Sequence, residues 1–192
     1  MTREGSEDGT HLFGVEAGSF KSFQRVKPSF TFLCGVEAVR KKISNVRLRR
    51  IQVDGFDATE KLLSMIEEMK LDAVILGGIT FAGFNMVDPI IILNSTGIPI
   101  IVYSGTHPDN EKMLGALKKH FNDWRVRWDI VHSLGPIHCT KPHPSEPSIY
   151  FEVVGGSYRW AEKILHYSAE VCRIPEPVRV AGIIARGLSP VF

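Results

Sequence analysis

The residues best placed to do chemistry are carboxylates and glycines at the ends of apolar runs. Glu16 follows the run His11–Val15, beside Gly18. Asp54 and Asp57 follow the run Ile43–Val53 in the segment Val53-Asp54-Gly55-Phe56-Asp57-Ala58-Thr59-Glu60. A further apolar run, Ala73–Leu76, opens into Gly77-Gly78-Ile79-Thr80-Phe81-Ala82-Gly83-Phe84-Asn85, with Asp88 just beyond. Ligand and metal sites in α/β folds gather where strands end in loops of this kind. Gly77, Gly78 and Gly83 would let backbone amides approach a phosphate, although the spacing fits neither a Walker loop nor a dinucleotide fingerprint. Phe84 offers a ring to stack a base, and Asn85 an amide to bond its edge.

Each candidate also has a plainer reading. Asp57 with Glu60 has the form of a capping box, and Asp88 before Pro89 is suited to capping a helix. Asp54-Gly55 is a turn signal, and Phe84 can tuck into the core. Asp88 would join the other carboxylates only if the loop between Gly77 and Val87 folds back on itself. Arg40, Lys41, Lys42, Arg47, Arg49 and Arg50 crowd one short segment. They form either a phosphate-binding face, through Arg47, Arg49 and Arg50, or the solvated face of a hairpin. His138, Cys139 and His143 lie in a proline-rich stretch, but zinc needs about four ligands and no second half-site is visible. His107, after Gly105-Thr106, is a lone histidine at a strand end, and residue order alone assigns no Ser/His/Asp arrangement.

The elements that must position these residues follow from periodicity. Ser29–Val39 and Ile43–Val53 predict a hairpin, with Val46 and Leu48 alternating against Arg47 and Arg49. The alternation slips at Arg50-Ile51, which points to a bulge or twist. With His11–Val15 they make an antiparallel meander of three strands. Beyond Asp57, Leu62, Leu63, Ile66 and Met69 mark one helix face. Ala73–Leu76 and Ile98–Tyr103 are apolar throughout, as buried parallel strands are. A helix opens at Asp88-Pro89 and ends at Gly97, and Asp109–Phe121 is amphipathic. Trp124–Val131 alternates and predicts a strand at the sheet margin. Pro136–Pro147 reads as a loop and Ile149–Val154 as a strand. Ser157 caps a helix whose face runs to Cys172, and a last helix ends near Ala185. A ribonuclease-H-like sheet and an ordinary doubly wound sheet both accommodate this order.

Four segments carry a family resemblance. Gly14-Val15-Glu16-Ala17-Gly18-Ser19-Phe20, Val53–Thr59, Ala73–Asp88 and Ile174-Pro175-Glu176-Pro177-Val178-Arg179-Val180-Ala181 are similar to endonuclease V and its archaeal relatives of unknown function. The likeness spans roughly residues 11 to 188. It implies an α/β fold of ribonuclease-H-like, endonuclease V type: a mixed sheet in which the antiparallel meander is followed by parallel strands, with helices on both faces. It also implies cleavage of a nucleic acid strand near a deaminated base with Mg²⁺ or Mn²⁺, held by Glu16 with Asp54 or Asp57; Asp88 would be a further metal ligand only if its loop folds back. Oxygen ligands suit such ions, which activate water and neutralise phosphate. The chain departs from the family's pattern in several places. Glu16 stands where the family has an aspartate, Ala17 where a second one falls, and Gly77 where the nuclease has its metal-binding aspartate. Tyr103 and Ser104 replace a lysine, and the catalytic histidine is missing near Gly156 and Ser157.

Bulk properties narrow the rest. The 192 residues suit a single domain, expected over 11–192 after a disordered tail at 1–10, and a composition 44% hydrophobic and 23% charged is that of a globular protein. A net charge of +2 argues for no particular partner. Three cysteines without a CxxC pair predict free thiols in a reducing, cytoplasmic setting, with Cys34 and Cys172 packed as small hydrophobes. No apolar run reaches the length of a membrane span. Two functions are therefore expected: a nucleic-acid-binding protein with possible metal-dependent endonuclease activity, or a non-catalytic binding or scaffold protein on the same fold.

Overall fold

A computed structural model describes residues 10–20 and 29–189. The tail expected at 1–10 lies outside them except for Thr10, whose carbonyl accepts the Arg40 amide at 3.2 Å. The strands are β1 (His11–Ala17), β2 (Phe30–Val39), β3 (Lys42–Gln52), β4 (Ala73–Leu76), the short pair β5 (Thr80–Phe81) and β6 (Asn85–Met86), β7 (Ile100–Ser104), β8 (His138–Thr140) and β9 (Ile149–Val154). The helices are α1 (Ala58–Ile66), α2 (Pro89–Thr96), α3 (Asn110–His120), α4 (Trp124–His132), α5 (Tyr158–Ser168) and α6 (Glu176–Leu188).

The main sheet has the order β3-β2-β1-β4-β7-β9-β8. Its opening meander is antiparallel as expected, turned at Arg40-Lys41 with φ of 48° and 67°. Two successive positive φ values match a tight hairpin to the twist of its strands. β1, β4 and β7 then run parallel, so their carboxyl ends lie side by side. Strand β9 turns antiparallel to β7, and β8 pairs antiparallel with β9. The parallel character is thus confined to the middle of the sheet. This is the mixed, ribonuclease-H-like arrangement and not a doubly wound one.

Side chains of a strand alternate between the two faces, and both faces of the central strands are covered. Phe13, Val15, Leu76 and Val102 bury themselves with Leu62 and Met65 of α1, Ile92 of α2, and Ile130 and Val131 of α4. On the other face Leu12, Ile75, Ile101 and Phe151 meet Ala161 and Leu165 of α5 and Val178 of α6. Cys34 and Val36 meet Ala181 and Ala185 of α6. The last helix lies directly on β1. A side chain at Gly14 would stand 2.3 Å from the backbone of Pro177 and Val178, so only glycine allows the approach.

Four expectations need correction. Trp124–Val131 is helical. Its buried positions Arg127, Ile130 and Val131 have helical spacing, but a cation at the first of them disguises the stripe. The sheet margin is occupied instead by β8, inside the segment read as a loop. The register of β3 runs unbroken through Arg50 and Ile51, and its irregularity lies opposite Glu37 and Ala38. Finally, α5 ends at Ser168, so Cys172 lies beyond it.

Candidate functional site at the carboxyl ends of the central strands

Glu16, Gly77 and Tyr103 stand next to one another where β1, β4 and β7 end, on the sheet face covered by α5 and α6. The Gly77 amide donates to the Val15 carbonyl at 2.9 Å, which holds the end of β4 against β1. The Glu16 carboxylate lies across Gly77: a Cβ there would stand 2.3 Å from Oε1. Oε2 accepts the Ala17 amide at 3.0 Å. Burial raises the Glu16 pKa, opposed by that amide bond and by the Arg186 cation. The Arg186 guanidinium folds back over its own helix, where a Cβ at Gly182 would meet Nη1 at 2.9 Å. Tyr103 is buried, which raises its pKa against the pull of Arg173. Arg173 in turn donates to the carbonyls of Gly105 and Ser148, each at 2.9 Å. Glu16 and Tyr103 therefore stand together at the strand ends, with the Glu146 carboxylate and the Arg173 and Arg186 guanidinium groups in electrostatic reach.

The other predicted carboxylates are engaged in holding loops. Asp54 has a φ of 57°, and its Oδ1 accepts the Phe84 amide at 2.9 Å. Its carboxylate fills the space a side chain on Gly83 would need. Asp57 stands before α1 but makes no side-chain cap bond. Its Oδ1 accepts from Asn85 Nδ2 at 2.6 Å and from the Gln52 amide at 3.2 Å. The expected capping box is thus absent, and Glu60 pairs with Lys61 instead. Asn85 performs the cap: its Oδ1 accepts the Ala58 amide at 3.0 Å, and its Nδ2 also donates to the Gln52 carbonyl at 2.8 Å. Asn85 is completely buried, so the expectation of an exposed base contact is overturned. Asp88 is the cap of α2, accepting the amides of Ile90 and Ile91 at 2.9 and 3.2 Å.

A residue that periodicity hid organises these loops. Arg127, 4% exposed, donates to the carbonyls of Phe84, Gly55 and Asp54 and pairs with Asp123. Its guanidinium lies 4.4 Å from the Phe121 ring centre and 5.1 Å from that of Phe56. Phe84 packs edge-on against Phe121 at 5.3 Å. Glu152 was also missed. It is the lone acid of the apolar run forming β9, and burial pushes its carboxyl up to about 7, opposed by a backbone hydrogen bond and, less, by His107. Its isolation in that run was the available signal.

The arginines of β3 divide by face. Arg47 donates to the Met65 carbonyl. Arg49 donates to the hydroxyl and carbonyl of Ser64 at 3.0 and 3.1 Å. Both close the last turn of α1, whose carbonyls otherwise lack partners. Arg50 is exposed and lies 4.4 Å from the centre of the Phe30 ring.

A divalent metal does not fit this donor set. Among the described residues no three His, Cys, Asp or Glu side chains come together as a cation site. Asp54, Asp57 and Asp88 each give an oxygen to backbone amides, and Glu16 faces a glycine. The proline-rich stretch holds no zinc arrangement either. His138 stacks on Tyr158 at 5.2 Å, and His143 bonds the Ala169 carbonyl at 3.0 Å.

The sheet order is that of a ribonuclease-H-like fold of endonuclease V type. A family model described as Endonuclease dU matches residues 8–189, and the chain belongs to that family. A "UPF0215 protein" of Thermococcus sibiricus is 35% identical over 178 residues, covering 91% of this chain and 89% of its own. One from Methanothermobacter thermautotrophicus is 36% identical over 151 residues, 77% and 72% of the two chains. A crystal structure of an Archaeoglobus fulgidus protein of unknown function superposes with a TM-score of 0.76 at 28% identity, covering 92% of this chain and 95% of that one. Ciona intestinalis endonuclease V, crystallised with an inosine-containing DNA, gives 0.60 at 14% identity over 93% and 85%. That last likeness is one of fold. No helix among the described residues is long and apolar enough to cross a membrane.

Proposed function

We propose that this chain binds a nucleic acid strand across the carboxyl ends of β1, β4 and β7 and does not cut it by a metal-dependent route. The observation that carries this reading is the Glu16 carboxylate lying across Gly77. Strand cleavage by Mg²⁺ or Mn²⁺ needs several oxygen ligands around the ion, and among the described residues no three His, Cys, Asp or Glu side chains come together to supply them. Binding is supported by membership of a family named for an endonuclease and by the guanidinium groups of Arg173 and Arg186 beside the cleft. The family's name refers to dU and the Ciona relative was crystallised on inosine. A strand with one deaminated base is therefore the substrate class to test.

A second reading, residual endonuclease activity, is favoured by the carboxylate that survives at Glu16. One experiment separates the two. Fluorescently labelled strands carrying a single deoxyuridine or inosine are mixed with wild type and Glu16→Ala, in Mn²⁺ or in chelator. Binding equal in both conditions, with the strands intact, is the expected outcome. Cleavage that requires Mn²⁺ and disappears in Glu16→Ala would replace this reading with the second.

A further inference from the structure

We infer that the junction of α3 and α4 is a phosphate-backbone contact surface, formed by Lys118, Lys119, Arg125 and the Trp124 ring between them. The assignment rests on the nucleic-acid reading above and extends it to a surface outside the strand-end cleft. Lys118 Nζ lies 5.1 Å from the centre of the Trp124 ring, and the Arg125 guanidinium carbon lies 4.7 Å from the same centre. One indole thus holds two cations close together. Lys118, Lys119 and Arg125 are all exposed. None of the three is in an ion pair among the described residues.

Local physics does not account for this grouping. Lys118 and Lys119 in the last turn of α3 suit the negative end of that helix, but Arg125 stands in the first turn of α4, where a cation opposes the dipole. The nearest acid in sequence, Asp123, is taken by Arg127: its two carboxylate oxygens accept from Nε at 3.0 and 3.1 Å. Lys118 and Arg125 are therefore held at one ring with no carboxylate of the described residues at ion-pair distance, and exposed Lys119 follows Lys118 in the chain. An external polyanion supplies the countercharge. Aromatic contact limits the freedom of Lys118 and Arg125, so less entropy is lost when phosphates bind. Through Arg127 the surface is also fixed to the Asp54-Gly55 and Phe84 loops, which makes it rigid relative to the sheet. A nucleic acid backbone, with regularly spaced phosphates, fits cations held at a ring on a fixed surface.

The test is a triple variant, Lys118→Gln, Lys119→Gln and Arg125→Gln, which leaves Arg127 intact. Binding of a labelled single strand is followed by anisotropy across a salt series, and anionic lipid vesicles serve as a second polyanion. Three lost phosphate contacts should lower the salt slope by about 2 and weaken binding about 100-fold near 0.1 M salt. An unchanged thermal midpoint should show that the fold is kept. Equal affinity and slope in variant and wild type would overturn this assignment and leave the proposed function standing. Wild type that fails to bind any strand would overturn both. Vesicle binding lost in the variant, with strand binding untouched, would assign the surface to membranes and overturn the inference.

Discussion

Glu16 and Glu152 are both carboxyls whose burial raises the pKa, and the sign of the consequence is the same for each. The native chain keeps the proton to higher pH than the unfolded chain does. Stability is therefore full below the unfolded value and falls as pH rises through the folded one. For Glu152 that window runs from 4.5 to about 7, and the loss across it is on the order of 3 kcal/mol. Glu152→Gln should remove this part of the pH dependence. Urea unfolding of variant and wild type on either side of the window measures it, and parallel pH profiles would refute the assignment. The sequence marked Glu16 by its place after an apolar run. It could not show that the carboxylate would fold onto Gly77, because that contact joins strands about sixty residues apart. Asp88 was legible as a cap because capping is local. The roles of Asp54 and Asp57 were not, since their partners at Phe84 and Asn85 come from another loop.

At the level of elements, α1 is held at both ends from outside. Asn85 of β6 caps its first turn and Arg47 and Arg49 of β3 close its last. Asn85→Ala should cost about 2–3 kcal/mol, since it removes a cap from the buried Ala58 amide and strips partners from part-buried groups of Asp57 and Gln52. Asp88→Ala, which loses only a helix cap, should cost about 1 kcal/mol. Denaturant midpoints at constant m-value compare the two, and equal costs would contradict the linking role given to Asn85. Most elements were legible from periodicity: the hairpin, the apolar strands and the starts of the helices stand where their patterns put them, although α5 stops short of Cys172. The failure at α4 has a single cause. Arg127 occupies a core-facing helical position, where its charge is satisfied by three loop carbonyls and Asp123, and no local pattern announces such partners.

On the scale of the whole molecule, the sheet brings three strand ends together but not three carboxylates. Mn²⁺ should then leave the thermal midpoint of wild type where chelator leaves it. An ion at a hundred times its dissociation constant would add about 2.7 kcal/mol and move the midpoint by several degrees. A shift of that size, absent in Glu16→Ala, would restore a metal centre. The mixed sheet was legible through family likeness more than through pattern, because a run of apolar residues does not say which way its strand points. The antiparallel turn at β9 was accordingly missed.

The long outer strand also has a bearing on life before the fold is complete. β3 is an edge of eleven residues whose outward backbone groups have no neighbour in the sheet, and Ile43 and Val46 on it are each 41% exposed. An edge of this kind invites another chain to add a strand. Lys42 and Arg50 are exposed along it, so that two copies approaching edge to edge bring like charges together. Lys42 and Arg50 should therefore disfavour edge-to-edge association between copies of this chain.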